Sequence, residues 1–402
     1  MLPVGRAANY DTAAILGQTI DVPYPTQPST YIEQWNVDFE HDFGHQIVLD
    51  VAYVGLKGVH LQAPAGGNDH GLGLDQLAAG YRICGTDKTQ PQCNGHFLTD
   101  SVANPFFGLV PSTSSIGGAT IPYGQLLRPY PQYYNLYNPA AAGFYSMYNG
   151  IQAKLQKRIG EGGNLLLSYT YAPDNGNADG TTLFTGTQTG LLQDFVNLKS
   201  EVSQLTFNIP QNFVASYVLD LPVGKGKRFL GNQSGAVNEI VSGWGLNGIT
   251  AYRSGYPLVL SEQPTFITGN FGGGNPRPNV TAGCSTVNSS GSAFSRTLTG
   301  ATWFNTTCFT QTDNYSFGNQ PRVDPNIRGQ GVANWDFSLF KATPVGDQVS
   351  VQFRAEVFNA FNRVQLGLPN ATCCTSANSS FGVISTQQNQ PRQFQFALKA
   401  TF

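Results

Sequence analysis

The chain has 402 residues, a net charge of −2, and only 11% charged residues, where an ordinary soluble domain carries about 25%. That balance gives no footing for nucleic acid as a partner, and no run of about 18 apolar residues offers a membrane helix. Length alone leaves room for two or three domains.

The opening residues, Met1-Leu2-Pro3-Val4-Gly5-Arg6, show no charged start followed by an apolar core, so no secretory leader is recognisable. Residues 1–29 are expected to be a lead-in segment lying with the loops. From residue 30 the pattern becomes one of strands. Tyr31, Trp35, Val37 and Phe39 alternate with Gln34, Asn36, Asp38 and Glu40. Successive side chains of a strand point to opposite faces, so this is a strand with one apolar face. A tight turn is expected at 41–44, followed by a second strand through Ile47, Leu49, Val51 and Tyr53. Residues 57–144, rich in Gly, Pro, Asn and Tyr, read as a long loop.

Ile151, Ala153, Leu155 and Ile159 then share a face against Gln152, Lys154, Gln156 and Arg158. Gly160-Glu161-Gly162-Gly163 makes a turn, and Leu165, Leu167, Tyr169 and Tyr171 continue. After a second loop come Phe213, Ala215, Tyr217 and Leu219, a basic turn at 224–228, and Trp244, Leu246, Ile249 and Tyr252. The longest loop, about 261–334, leads to Trp335, Phe337 and Leu339. A turn at 342–347 leads to Val349, Val351, Phe353, Ala355 and Val357, and a last loop precedes the terminal strand. Phe381–Ile384 reads as one further short strand inside that loop.

The final strand is the most telling. Phe394, Phe396, Leu398, Ala400 and Phe402 line one face, and the chain ends on the aromatic residue. An amphipathic strand of this kind needs a neighbour for its edge, which a closed membrane barrel supplies. The connections also sort themselves: short, long, short, long. In an up-and-down sheet this places all turns at one end and all long loops at the other, as in an outer-membrane barrel. The expected fold is therefore all-β: an antiparallel up-and-down transmembrane β-barrel with long extracellular loops. About nine strands are expected, an odd number where bacterial barrels have an even one. With the unrecognisable leader, that suggests the C-terminal part of a larger barrel, with residues 30–402 forming the wall.

Several stretches resemble the C-terminal half of TonB-dependent receptors of the Oar-like kind found in acidobacteria. The resemblance is carried by Tyr148-Asn149-Gly150-Ile151-Gln152-Ala153, Gly318-Asn319-Gln320-Pro321-Arg322, Asp336-Phe337-Ser338-Leu339-Phe340-Lys341, Phe353 through Asn362, and Pro391 through Lys399. It implies a 22-stranded barrel in the bacterial cell outer membrane, with a plug domain that this chain does not show. It also implies import of a large or scarce solute driven by the TonB complex through the missing N-terminal region. Finally, it implies insertion by the barrel-assembly machinery, which reads a last strand ending in Phe; Phe394, Phe396, Leu398 and Phe402 match that signal.

The six cysteines all fall in loops. Cys84 with Cys93 and Cys284 with Cys308 are expected disulfides, since each pair shares a loop. Cys373 and Cys374 either bridge each other or pair elsewhere. The spacings fit no zinc site. Tyr130, Tyr133, Tyr134 and Tyr137, beside Arg128, are candidate ligand-contacting loop aromatics; loop packing or an interface girdle explains them equally well. No Ser/His/Asp, Cys/His or paired-carboxylate arrangement has support from spacing, so neither an enzyme nor a cofactor is expected. Two rivals to transport are a barrel that acts as adhesin or scaffold, and a soluble carbohydrate-binding β-sandwich.

Overall fold

The computed structural model describes residues 15–22, 27–62, 71–139, 141–160, 163–177, 192–288, 300–345, 349–374 and 380–402. Nine long strands make one antiparallel sheet: β1 (Tyr31–Asp42), β2 (Ile47–Gln62), β3 (Ala142–Ile159), β4 (Gly163–Tyr171), β5 (Gln211–Asp220), β6 (Trp244–Arg253), β7 (Val332–Val345), β8 (Val349–Phe358) and β9 (Gln393–Thr401). Each pairs with its neighbours in chain order, and a short strand, Asp174–Gly176, adds to the side of β3. Among the described residues β1 and β9 do not pair with each other, so the sheet is an open wall. It is a single sheet rather than two packed against each other, which removes the sandwich reading.

Register explains why the pattern works. Residues directly opposite on paired strands share a face. One row runs Phe39, Val51, Ala153, Tyr169, Phe213, Tyr252 across six strands. Another runs Gln152, Thr170, Asn212, Arg253 on the opposite face. A slip of one residue anywhere would turn an apolar row onto the polar face, so register is strongly specified. Gly55 illustrates the fit: the indole of its partner Trp35 lies where a Cβ would sit, so the ring covers the glycine gap.

The connections separate by end. At one end lie the turn Phe43–Gln46, the close of β3 with the start of β4, and the close of β7 with the start of β8. His45 and Gln46 there both take positive φ (52° and 62°), which tightens the turn beside Gly44. The first turn is thus two residues later than the sequence pattern suggested, because pairing persists to Asp42 opposite Val48. The link 221–243 belongs to the same end but is not a tight turn; it carries helix α1 (Gly235–Val241). At the other end lie the described parts of the four long loops: 71–139 in the first, 172–177 and 192–210 in the second, 254–288 and 300–331 in the third, and 359–374 and 380–392 in the fourth. The first is shorter than expected, since β2 runs on to Gln62 and β3 begins at Ala142. Phe381–Ile384 forms no strand; Phe381 and Ile384 are instead buried in the loop assembly. The lead-in contributes Thr19–Asp21, which pairs in parallel with Asn135–Asn138 among the loops.

The hydrophobic core lies in the loops. Leu258, Leu260, Phe304, Phe309, Ile327 and Phe381 form one cluster, and Leu77, Leu98, Ile267 and Phe271 another. Smaller clusters gather around Phe144 and Leu192, and around Val110, Ile116 and Ile121. The described residues of the long loops therefore form a folded cap.

Candidate ligand-binding site

The loops are tied to one another by buried polar groups. Arg277 in the third loop grips Glu201 in the second with two hydrogen bonds, Nη1 to Oε2 at 2.9 Å and Nη2 to Oε1 at 3.0 Å. Such a fork-to-fork pair is among the stronger charge-assisted contacts. Arg322, almost fully buried, donates from Nε to the Glu201 carbonyl (2.8 Å) and from Nη2 to the Gly176 carbonyl (2.9 Å). Burial lowers its pKa to about 10. Arg328 reaches the carbonyls of Asn208 and Gly255, both at 3.1 Å. Gln76 of the first loop donates to Asp194 of the second (2.7 Å) and accepts from the Phe195 amide (2.8 Å). Ser261 donates its amide to the Ala371 carbonyl and accepts from the Cys373 amide, which fastens the third loop to the fourth.

The family-like motifs gain physical reasons here. Arg322 is the arginine of the Gly318–Arg322 stretch and locks two loops together. Asp336 accepts from the Asn359 amide at 2.8 Å, which joins β7 to the turn after β8. Asn359 and Asn362 both adopt positive φ there (49° and 50°), a conformation Asn tolerates better than most residues.

A second buried pair sits in the first loop. Arg128 donates from Nε to the Asp75 carbonyl (2.7 Å), and its Nη2 lies 3.0 Å from Asp75 Oδ2. Both side chains are 1% exposed. Burial pushes the Asp75 carboxyl up to about 6, against the opposing pull of Arg128 and the Tyr130 amide.

The tyrosine run wraps this arginine. Arg128 donates to the Tyr134 carbonyl at 2.8 Å, and Tyr130 donates its amide to Asp75. Tyr130 and Tyr134 expose their rings, while Tyr133 and Tyr137 are half-buried. Sulfur pairs join Cys84 to Cys93 (Cα–Cα 5.4 Å) and Cys284 to Cys308 (5.6 Å), and the neighbours Cys373 and Cys374 to each other. Cys84, Cys93, Cys308 and Cys373 sit at the centres of the two larger loop clusters.

Where the first three loops meet, the cap holds a cleft of about 670 Å³, within the usual range for ligand sites. Arg82, Asp194, Asn197, Tyr315, Phe317 and Asn319 are among its walls. None of the four tyrosines singled out in the sequence lines it. The arginines and acids around it were missed by sequence reasoning. A signal was available: charges are scarce in these loops, and an isolated charge in a folded segment must find a partner.

At the wall, Phe394, Phe396 and Leu398 are exposed on the apolar face, and Phe402 is 99% exposed. At the long-loop end that face carries a chain of rings: Phe213–Tyr252, Tyr252–Trp335 and Trp335–Phe361, with centroids 6.1, 5.3 and 5.0 Å apart. At the opposite end Trp244 meets the Lys341 ammonium at 5.7 Å from the ring. Aromatic bands flanking an apolar belt, with lysine only beyond it, are what a bilayer selects.

Residues 2–395 match the Outer membrane beta barrel domain family, and the chain belongs to that family. It is an outer-membrane β-barrel protein: the apolar face meets lipid and the long loops crown one rim. No curated protein sequence matches it. Among solved structures it is similar to the outer membrane transporter YddB from Escherichia coli (7% identity, TM-score 0.40, 95% of this chain, 34% of that one). It is also similar to the ferric citrate transporter FecA (8%, 0.36, 92% and 31%) and to the pyoverdine receptor FpvA of Pseudomonas aeruginosa (8%, 0.33, 92% and 30%). The chain spans about a third of the length of these proteins.

Proposed function

We propose that this protein captures a large or scarce solute at its loop cap and passes it across the outer membrane in TonB-dependent transport. The observation that carries the reading is the folded cap. Four long loops share buried cores, an ion pair ties the second to the third, and the first three enclose a polar-walled cleft above a sheet whose second face is lined with Gln, Asn, Ser, Thr and charged side chains. A preformed site on a rigid scaffold loses little ordering entropy on binding. In this reading the nine strands are one stretch of a larger, 22-stranded wall of the Oar-like kind. The open edges of β1 and β9 support that, because an unpaired edge in hydrocarbon leaves backbone groups unsatisfied. Contact with TonB falls to a region N-terminal to the wall. Phe394, Phe396, Leu398 and Phe402 serve as the signal read by the barrel-assembly machinery.

The test is accumulation of a panel of labelled large hydrophilic solutes by cells with and without the protein, each with and without a protonophore. Loss of an energised uptake in cells lacking it is the expected result. Unchanged uptake of every solute sinks the transport reading and leaves an adhesin or scaffold.

A further inference from the structure

We propose that the cleft between the first three loops binds a neutral polyhydroxylated solute, a segment of an oligosaccharide, through Arg82 and Asp194. This rests on the transport reading above and names its substrate class.

Arg82 and Asp194 face each other across the cleft wall. The guanidinium lies over the Phe317 ring, 4.1 Å from its centroid, so its orientation is set by stacking. Its Nη2 is 3.6 Å from Asp194 Oδ2, beyond hydrogen-bond distance. Asp194 is also held in place: Oδ1 accepts from Gln76 Nε2 (2.7 Å), the Val196 amide (3.0 Å) and the Asn197 amide (3.1 Å). That leaves Oδ2 directed at the arginine. Both side chains keep some access to solvent, 19% for Arg82 and 14% for Asp194.

An arginine only donates and a carboxylate only accepts. A hydroxyl does both, and so can bridge the pair. A row of hydroxyls on a sugar ring meets this arrangement repeatedly, with the side chain of Asn197 beside it.

Charge excludes the alternatives. Arg277, the second arginine of the cleft, is neutralised by Glu201. Arg82 is balanced by Asp194. An anion entering to meet Arg82 would approach the carboxylate, and a cation drawn to Asp194 would approach the guanidinium. The apolar contributions of Val202 and Pro321 suit the C–H faces of a sugar. Tyr315 also lines the cleft, but its ring faces are occupied. Phe266 stacks on its ring at 5.6 Å, and Gly85 packs against it so closely that a Cβ has no room.

The experiment is calorimetric titration of the full chain, purified from outer membranes in detergent. The probes are maltohexaose, cellohexaose, xylohexaose and, as an anionic control, hexagalacturonate. At least one neutral hexasaccharide is expected to bind, and the anion to bind more weakly. Arg82→Gln and Asp194→Asn should each weaken that binding by about tenfold or more, the value of a lost hydrogen bond to a charged group. Asn at 194 keeps the oxygen that Gln76 and the two amides use, so the cap stays folded, as limited proteolysis would show. Three results overturn the proposal: no neutral probe binds, neither variant weakens binding, or hexagalacturonate binds best and Asp194→Asn tightens it. Any of these with energised uptake of another solute intact breaks this assignment alone. Loss of evidence for uptake breaks the transport reading instead.

Discussion

The wall and the cap bury their apolar residues by opposite rules. Among the described residues, Phe144 and Ala333 are the only buried apolar side chains on the nine wall strands, and both lie near the loop end. Val37, Phe39, Phe394, Phe396 and Leu398 are all more than 60% exposed. In water such a surface would drive association; against lipid it is the solvated face, and backbone pairing provides the order. The cap stands in water and follows the ordinary rule. Its Leu77, Leu98, Phe304 and Ile267 are at most 2% exposed, and its buried Asp75 and Glu201 are paired with Arg128 and Arg277. One chain therefore carries two solvents' worth of design, divided by the rim where β2 and β3 end.

The difference can be broken from the cap side first. Glu201→Gln leaves Arg277 buried at 4% exposure facing a neutral amide. Stranding one member of a buried pair costs about 3–5 kcal/mol. Limited proteolysis should cut the second and third loops of this variant, while the wall keeps its resistance to SDS without heating. Loss of both together would mean that cap and wall fold as one unit.

Next comes the wall. Leu167 sits mid-strand on the apolar face, opposite Leu155 and Ala215. Leu167→Arg should cost about 2–4 kcal/mol in lipid, read as a lower denaturant midpoint in vesicles. Ser216→Arg, on the other face of the adjacent strand opposite Leu166 and Ile249, should be nearly neutral. Equal costs would refute the assignment of faces.

Replacing Cys284 and Cys308 by Ser opens a 24-residue link in the cap. Loop-closure entropy puts the loss at about 3 kcal/mol. Hydrogen exchange should quicken around Phe304 and Phe309 and stay unchanged in β3 and β4.

The smallest effect is pH dependence at Asp75. Its folded pKa of about 6 lies above the ordinary carboxylate value. The folded state thus holds more protons between the two values, and this contribution is complete at low pH and lost as pH rises through about 6. Protection against hydrogen exchange around Asp75 and Arg128, corrected for the intrinsic pH dependence of exchange, should fall from pH 5 to 7, and Asp75→Asn should abolish that fall. The wall should show no matching change.

Much of the wall was legible in the sequence. Alternation such as Leu165, Leu167, Tyr169, Tyr171 is a local signal with a period of two, so nine strands and two kinds of connection could be read residue by residue. Boundaries were less clear. The lengthening of β2 to Gln62 depends on pairing with β3 as far as Ala142, which β2 alone does not reveal. The cap was legible in its cysteines, whose partners lie close in the chain, but little else. Tyr130 and Tyr134 drew attention by density, yet the cleft is built by Arg82, Asp194 and Phe317.

The sequence by itself determined the class of protein. Period-two patterning, scarce charge and sorted loop lengths are properties of short stretches, and a bilayer rewards them without reference to distant residues. Tertiary structure alone decided the site. Gln76 meets Asp194 across 118 residues, Gln193 meets Gly318 across 125, and Arg322 meets Gly176 across 146. Such pairings carry no periodic mark, because each depends on where two long loops happen to cross. Only the folded cap brings a donor-only arginine opposite an acceptor-only aspartate.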